Sequence, residues 1–566
     1  MLKLPFMKNL LLISLIIVPA IVFSQTGEGT RRPNILFCIA DDASREYMSA
    51  YGFKNTWINT PSFDRVAREG VLFKNAYTPN AKCAPSRACI LTGRNSWQLE
   101  AAGNHNPFFP AKFTTYVEAL GKNGYTTGYT GKGWAPGNSG EVDGKKRMLT
   151  GPDYSDIKLT PPTREISPID YASNFGNFLK SKSKDQPFCF WFGGHEPHRA
   201  YEYGSGVTKG KKKLSDITKV PPYWIDNEKV RNDMLDYAYE VEYFDSQLGK
   251  ILDILEKSGE LDNTIIVVTA DNGMPFPRVK GHVYERDNHL PLAIMWRNGI
   301  KNPGRKVNDY VSFIDFAPTF LELAGVKPNS ANMQPAQGRS LVNLLTLEKK
   351  GMVEPTRDHV LLGREREDVG RPNDEGYPVR GIVKGNFFFA KNYEPDRWPS
   401  GNPETGYLDT DGSPTKTEIL EAHKRGEYMN LWQQDFGKKG SEELYDISKD
   451  PYCMSNLANN SRFSKVKNQL KTEMEQELKS QQDPRMFGKG YIFDQYPYGE
   501  PRVRNFYERY IKGEKIKTPW VKESDFEEKP NMEANTNNEG KASQEEKRRK
   551  KEKLPPSSFK RQKRNQ

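Results

Sequence analysis

Residues 34–42, NILFCIADD, form a near-continuous apolar run that ends in two adjacent carboxylates. An apolar run without alternation is typical of a strand that is buried on both faces of a parallel sheet. Two later runs have the same design, because FCFWF at 188–192 leads into GGHEPH and TIIVVT at 264–269 leads into ADNG. Helical patterns separate these runs, so we predict an α/β fold with a mostly parallel sheet flanked by helices. Ligands bind such sheets at the carboxyl ends of the strands, where these polar residues lie.

The chain divides into a larger and a smaller domain. Apolar spacing predicts a long helix over about 228–258. Near Leu345 the pattern changes to shorter strands, such as those around 381–383 and 386–390, and a polar helix follows at about 464–481. We therefore predict a catalytic domain at 25–345 and a smaller C-terminal α+β domain at 346–515.

Both ends of the sequence are predicted to lie outside these domains. Residues 1–24 carry Lys3 and Lys8 before an apolar run, followed by small residues ahead of Gln25, which is typical of a secretory signal peptide. No other run approaches the length of a transmembrane anchor. The protein is thus predicted to be exported, to the periplasm or the medium. Residues 516–566 are predicted to form a disordered basic tail.

The formal charge of +11 is concentrated at these ends. Residues 541–566 hold eleven Lys or Arg and three Glu, which gives +8, and the signal peptide adds +2, so about +1 is left for residues 25–540. A nearly neutral body does not indicate a nucleic-acid partner. The basic tail either attracts polyanions or envelope lipid, or is simply solvated.

The stretch CAPSRACILTGR at 83–94 combines a cysteine, a proline turn and a helical pattern. The pattern predicts a helix that starts near Pro85 and places Cys83 at its positive end, a location that favours an anion. Arg87, about one turn along, can point back toward Cys83. As a short motif, it is also compatible with a buried structural cysteine.

Four residues after the first and third strands offer only hard oxygen ligands: Asp41, Asp42, Asp271 and Asn272. Such a set selects Ca²⁺, or alternatively Mg²⁺, over zinc, which prefers nitrogen and sulfur. An Asp-Asp pair alone is usually a solvated turn. The coincidence with a second strand end and the cysteine motif favours a metal site.

These motifs together resemble the formylglycine-dependent sulfatases of the alkaline phosphatase superfamily. The resemblance extends over about residues 32–483 and is strongest to the heparan N-sulfatase (sulfamidase) group and to bacterial polysaccharide sulfatases. It is carried by the cysteine motif, by HEPHR at 195–199, DNGMPFP at 271–277, GYPVR at 376–380 and ELYD at 443–446. An alkaline-phosphatase-like sheet is therefore expected.

The resemblance implies that a maturation enzyme oxidises Cys83 to Cα-formylglycine, whose hydrated aldehyde attacks sulfur. Residue 83 would then join the four oxygen ligands at the metal. Arg87 would contact the modified residue, and Lys132 and Lys280 would bind the sulfate. His198 would donate a proton to the leaving atom.

One residue departs from the pattern of the family. Relatives usually carry a histidine two residues after the lysine that matches Lys132, and this chain has Trp134 there. The base that expels sulfate is therefore expected to be His105 or His195, and Trp134 is expected to stack on a sugar. His195 and Arg380 are also assigned to substrate binding.

The leading function is hydrolysis of sulfate esters of a sulfated polysaccharide or its oligosaccharides, with an algal type such as ulvan favoured. The segment 363–371, GREREDVGR, is a candidate for sugar contacts. Three alternatives stay open: a sulfamidase acting on N-sulfoglucosamine of heparan-type chains, a phosphatase or phosphodiesterase of the same superfamily, and an inactive binding relative.

Overall fold

The computed structural model describes residues 31–53 and 57–529. The predicted signal peptide and the tail beyond residue 529 lie outside the described residues. The strands are β1 Asn34–Ala40, β2 Val71–Tyr77, β3 Thr126–Gly131, β4 Glu141–Val142, β5 Lys145–Lys146, β6 Phe188–Gly193, β7 Thr264–Ala270, β8 Leu292–Met295, β9 Arg305–Ser312, β10 His359–Arg364, β11 Val379–Lys384, β12 Phe387–Asn392 and β13 Glu442–Asp446.

The helices alternate with these strands in the first two thirds of the chain. They are α1 Pro61–Glu69, α2 Cys83–Thr92, α3 Tyr116–Lys122, α4 Tyr171–Ser181, α5 Ser205–Thr208, α6 Glu228–Lys257, α7 Glu285–Asn288, α8 Phe316–Leu323, α9 Val342–Thr346, α10 Pro414–Lys424, α11 Met429–Asp435, α12 Ser464–Ser480, α13 Ile492–Gln495 and α14 Phe506–Ile511. The three predicted strands, the long helix α6 and the polar helix α12 are confirmed within one or two residues.

A mostly parallel sheet of seven strands forms the centre of the larger domain, in the order β3-β6-β1-β7-β8-β2-β9. Only β8 runs against its neighbours β7 and β2, and the other pairs are parallel. Residues of β1 and β7 are buried throughout, as the continuous apolar runs predict. The predicted α/β class is confirmed.

Helices cover both faces of this sheet. Apolar residues of α1, α4 and α6 form one core on the first face, and those of α2, α3 and α8 form a second core on the other. The buried side of α6 runs its whole length, because Val230, Tyr237, Phe244 and Ile251 recur at helical spacing. In the described residues no helix is long and apolar enough to cross a membrane.

The C-terminal region is an antiparallel sheet, β10-β11-β12-β13, with α12 packed against it. A late segment at 516–529 is also part of the folded structure. Val521 and Phe526 pack with Leu408, and Asp525 is fully buried. The prediction that disorder begins at residue 516 is therefore wrong, because apolar side chains in this segment have a core to join.

Candidate active site

Four neighbouring parallel strands end at the same edge of the sheet and bring the predicted site together. β3, β6, β1 and β7 are adjacent in that order. The residues that follow them are, respectively, Lys132, the 195–198 loop, the pair Asp41 and Asp42, and the pair Asp271 and Asn272. The chain places distant residues in contact here because parallel strands converge at their carboxyl ends.

Cys83 begins α2 and faces the carboxylates that follow β1. Its Sγ lies 3.5 Å from Asp41 Oδ1 and 3.8 Å from Asp42 Oδ1. The side chain is 1% exposed. Burial raises the pKa of the thiol well above its usual range, although Lys132 and Lys280 act in the opposite direction. The unmodified side chain is thus held as a neutral thiol beside two carboxylates.

The oxygen-rich cluster is buried and tightly connected. Asn272 Nδ2 donates to Asp42 Oδ1 at 2.7 Å and to the carbonyl of Gly273 at 2.9 Å. The Asp42 backbone N–H donates to Asp271 Oδ1 at 3.0 Å, with Asp42 in the left-handed region at φ 72°. The amide oxygen of Asn272 is buried and has no hydrogen-bond partner among the described residues. A free amide oxygen beside carboxylates suits a hard cation.

Two lysines lie on this cluster and line the cavity above it. Lys132 Nζ is 2.6 Å from Asp41 Oδ2. Lys280 Nζ bridges Asp42 Oδ2 at 2.7 Å and Asp411 Oδ2 at 2.8 Å. Burial opposes ionisation of Asp41, yet Lys132, with His198 and Arg87 nearby, holds the pKa of this carboxyl well below its usual range. Because both lysines line the cavity, their ammonium groups can face a bound anion.

Arg87 lies beneath the cluster and is fully buried. Its Nε donates to Asp271 Oδ2 at 2.8 Å, and one guanidinium nitrogen donates at 2.8 Å to each of the carbonyls of Lys132 and Gly133. The remaining nitrogen is 3.4 Å from Asp41 Oδ1 and makes no hydrogen bond within the described chain. Arg87 thus ties α2 to the ends of β7 and β3.

Three histidines line the same cavity. His198 Nε2 lies 3.9 Å from Asp42 Oδ2, while its Nδ1 is 2.6 Å from the carbonyl of Arg199. Because a carbonyl only accepts, Nδ1 carries a hydrogen and Nε2 faces the cluster. His105 Nδ1 is 3.2 Å from Asp368 Oδ1. Burial lowers the pKa of His195 to about 4.

Two predicted substrate contacts are wrong. Trp134 does not line the cavity: its ring packs edge-on against Phe109 with centroids 5.1 Å apart, and its Nε1 donates to the carbonyl of Ala84 at 3.1 Å. It supports the start of α2 instead of stacking on a sugar. Arg380 is fully buried in the C-terminal sheet, where it pairs with Glu365 at 2.6 Å and Asp483 at 2.7 Å.

The cavity has a volume of about 610 Å³ and includes residues that the sequence analysis missed. These residues are Lys82, Asn106, Glu165, Glu196, Glu240, Asp411, Tyr498 and Trp520. Two of them had a signal in the sequence, because Lys82 directly precedes the cysteine motif and Glu196 lies within HEPHR at 195–199. Of the segment 363–371, Asp368 reaches the cavity, where it accepts from Tyr498 Oη at 2.7 Å and lies 3.1 Å from Lys82 Nζ.

Comparison with known proteins yields a consistent set of similarities. The family model described as Sulfatase matches residues 33–326, which is just over half of the 566 residues. An ulvan-active sulfatase of Formosa agariphila is 26% identical over 503 residues, covering 79% of this chain and 75% of that protein. Human N-sulphoglucosamine sulphohydrolase is 26% identical over 482 residues, covering 78% of this chain and 89% of that protein.

Solved structures share the fold. One of them, determined in complex with its substrate D-glucosamine-2-N,6-O-disulfate, has a TM-score of 0.57 at 23% identity and covers 80% of this chain and 98% of its own. A phosphonate monoester hydrolase of Agrobacterium radiobacter has a TM-score of 0.55 at 18% identity and covers 80% of this chain and 96% of its own. At these identities the likeness extends to the fold alone.

Proposed function

This chain belongs to the sulfatase family and is a sulfuric ester hydrolase, and from that premise we propose that it is exported and removes sulfate from a sulfated polysaccharide or its oligosaccharides, of algal type such as ulvan. The observation that carries this proposal is the position of Cys83. Its Sγ lies at the N-terminus of α2, within 3.8 Å of two strand-end carboxylates. A sulfate bound there would face the positive end of the helix dipole and two lysines.

A formylglycine at position 83 fits this environment. The helix N-terminus and Arg87 stabilise oxygen-centred negative charge, whereas burial keeps a thiol neutral. As a hydrated aldehyde, residue 83 supplies a hydroxyl for attack at sulfur. The proposal therefore requires a maturation enzyme that oxidises Cys83 in the cell.

Ca²⁺, with Mg²⁺ as the alternative, fits the ligand set of Asp41, Asp42, Asp271, Asn272 and residue 83. The unpartnered amide oxygen of Asn272 and the absence of nitrogen ligands from this set support a hard cation. When bound, such an ion supplies Lewis-acid polarisation of a sulfate oxygen and lowers the pKa of a hydroxyl.

The side chains around the cluster have separate roles in binding sulfate and in proton transfer. Lys132 and Lys280 bind the sulfate oxygens, since both ammonium groups line the cavity. His198, as an imidazolium, donates its Nε2 proton to the leaving oxygen, because its Nδ1–H is already donated to the carbonyl of Arg199. His105 accepts the proton when sulfate is expelled, with Asp368 orienting its ring. His195 is the second candidate for that base; burial lowers the pKa of both imidazoles, that of His195 to about 4.

N-sulfoglucosamine hydrolysis is a second candidate, favoured by the similarity to human N-sulphoglucosamine sulphohydrolase. The same cluster, lysines and His198 would serve an N–S bond, with nitrogen in place of oxygen as the leaving atom. Because the sulfate-binding residues fit both reactions, only assays with the two kinds of substrate can distinguish the two candidates.

Two measurements test the proposal on the protein purified from a host that carries the maturation enzyme. Mass spectrometry of the Cys83 peptide should show a decrease of about 18 Da, because oxidation removes sulfur and two hydrogens and adds oxygen. Sulfate release from ulvan, carrageenan, fucoidan and heparan oligosaccharides should be detectable for one class and absent in Cys83→Ala. An unmodified cysteine in active protein would contradict the mechanism, and N-sulfate release alone would favour the second candidate.

A further inference from the structure

One end of the cavity is lined by three carboxyl groups that no part of the proposed sulfate chemistry uses. Glu196 follows β6, Glu240 lies on α6, and Glu165 lies in the loop before α4 at the rim. Glu196 and Glu240 are each 1% exposed. A pair of buried carboxyl groups at a cavity wall needs a physical reason, since burying charge without a partner is costly.

Glu196 is satisfied by protein donors. Its Oε1 accepts from the Ser167 backbone N–H at 2.8 Å, and its Oε2 accepts from Tyr171 Oη at 2.9 Å. These are neutral donors that fix the position of the carboxyl group, and burial still raises its pKa to about 7.

Glu240 is not satisfied in this way. Its Oε1 is buried and has no hydrogen-bond partner in the described part of the chain, although the residue lines the cavity. Burial raises the pKa of Glu240 well above its usual range, and Glu196 raises it further. A ligand that donated a hydrogen bond to this carboxyl group would offset the cost of its burial.

Arg199 is a nearby cation that lowers the pKa of Glu240, but it does not cancel the effect of burial. Arg199 also lines the cavity, but both of its terminal nitrogens pair with Asp233, at 2.7 and 2.9 Å, and its Nε donates to the carbonyl of Pro275 at 2.8 Å. Arg164 is paired with Glu165 at 3.1 Å on the exposed rim. In the acidic end, defined as Glu165, Glu196 and Glu240, a bound anion would therefore oppose ionisation of Glu240 further, whereas a cation or a hydrogen-bond donor would favour it.

We propose that this acidic end is a subsite for a sugar unit that presents hydrogen-bond donors and carries neither a carboxylate nor a second sulfate, namely a neutral sugar or an amino sugar with a free ammonium group. The proposal rests on the proposed function, because the sulfated unit itself occupies the part of the cavity that Lys132 and Lys280 line. It assigns Glu240 as a specificity-determining residue. A uronate or a sulfate at the acidic end would meet buried carboxyl groups, and the two arginines described beside them, Arg199 and Arg164, are already paired with other carboxylates.

The test uses three synthetic disaccharides that share the sulfated unit which the protein cleaves. Their second unit carries an ammonium, a hydroxyl or a carboxylate group at one position and is otherwise identical. An aryl sulfate without a second unit serves as the reference substrate. We expect kcat/KM for the ammonium or hydroxyl disaccharide to exceed that for the carboxylate one by at least about tenfold, which corresponds to about 1.4 kcal/mol.

The Glu240→Gln variant should reduce that ratio several-fold, because it removes a carboxyl group that can ionise toward a bound donor while keeping the size of the side chain. Glu242→Gln is the matched control. It removes the same charge from the same helix at a residue that does not line the cavity and pairs with Lys212 at 2.7 Å. It should keep the wild-type ratio. Glu240→Gln should also raise the apparent melting temperature, whereas loss of a structural carboxylate would lower it.

The outcomes separate the two proposals. An equal rate on all three disaccharides, a preference for the carboxylate, or an unchanged ratio in Glu240→Gln would overturn the subsite alone. Failure to cleave any disaccharide or the aryl sulfate would overturn the proposed function. A higher rate on the ammonium disaccharide than on the hydroxyl one would identify an amino sugar, and equal rates would identify a neutral sugar.

Discussion

Removal of the folded C-terminal segment should damage the active site, whereas removal of the tail after it should not. Two truncated chains make the comparison, one ending at residue 529 and one at residue 515. Both lack the basic tail, so they differ only in the 516–529 segment. We expect the first chain to match the full-length protein in melting temperature and in kcat/KM on an aryl sulfate.

The magnitude follows from the contacts that the shorter chain loses. Val521 is 9% exposed, and Trp520 and Phe526 are partly buried against Leu408 and its neighbours. Full burial of such side chains contributes about 1.5–3 kcal/mol each, so these three together contribute about 4 kcal/mol. Asp525 is buried 3.6 Å from the buried Lys416 Nζ, and its removal leaves that ammonium without a carboxylate, at a cost of about 3 kcal/mol.

A loss of about 7 kcal/mol is comparable with the whole stability of a typical domain. The loss is transmitted to the site because this segment holds the loop that carries Asp411. The Gly412 backbone N–H donates to the carbonyl of Trp520 at 2.7 Å, and Trp520 Nε1 donates to the carbonyl of Leu408 at 3.0 Å. Asp411 in turn is 2.8 Å from Lys280.

The assay is thermal unfolding together with kcat/KM on the aryl sulfate. The chain ending at 515 should unfold at a temperature several degrees lower and lose most of its activity, and the single variants Trp520→Ala and Asp525→Asn should each reproduce part of the loss. Melting temperatures that agree within about 1 °C for the two truncated chains would refute the reasoning, because so large a free-energy difference has to appear in the transition.

Two further predictions concern the chemistry. Exhaustive removal of divalent metal should lower kcat/KM by about hundredfold or more, and Ca²⁺ or Mg²⁺ should restore it better than Zn²⁺, because the ligands in Asp41, Asp42, Asp271 and Asn272 are oxygens; full activity in metal-free protein would contradict the metal site. His198→Ala should lower the rate on a sugar sulfate by about 10²–10⁴-fold and the rate on an aryl sulfate much less, because a phenolate leaves without protonation. Equal losses on both substrates would remove His198 from the role of acid.

The parts of the site that could be predicted from the sequence are those that local pattern and topology determine together. Apolar runs that end in Asp41 or Asp271 predict buried parallel strands, and the carboxyl ends of such strands meet at one edge of the sheet. The start of α2 at Cys83 follows from the proline turn and the helical pattern. Neither inference requires knowledge of how distant loops fold back.

The errors concern side chains whose direction the sequence does not determine, because the loop or strand that carries them can present them to either side. Trp134 follows the last residue of β3 by three positions, and nothing in the sequence indicates that its ring turns inward to Phe109. Arg380 lies in an antiparallel strand, and its partner Asp483 is 103 residues away. The family-like segment led to the prediction that Arg380 binds substrate, whereas its complete burial shows that it stabilises the C-terminal sheet.

The residues that complete the cavity come from late in the chain, and the parallel sheet does not determine their positions as it does for the strand ends. The region that matches the sulfatase family ends at residue 326, whereas Asp368, Asp411, Tyr498 and Trp520 all lie beyond it and still line the cavity. Each reaches the site through packing of the C-terminal region, and of the four only Asp368 lies in a segment, 363–371, that the sequence marked as a candidate. Relatives that share the sulfate-binding strand ends can therefore differ in substrate through these late segments. For this chain, the choice of sugar has to be sought there and at Glu240, and the sulfate chemistry at the strand ends.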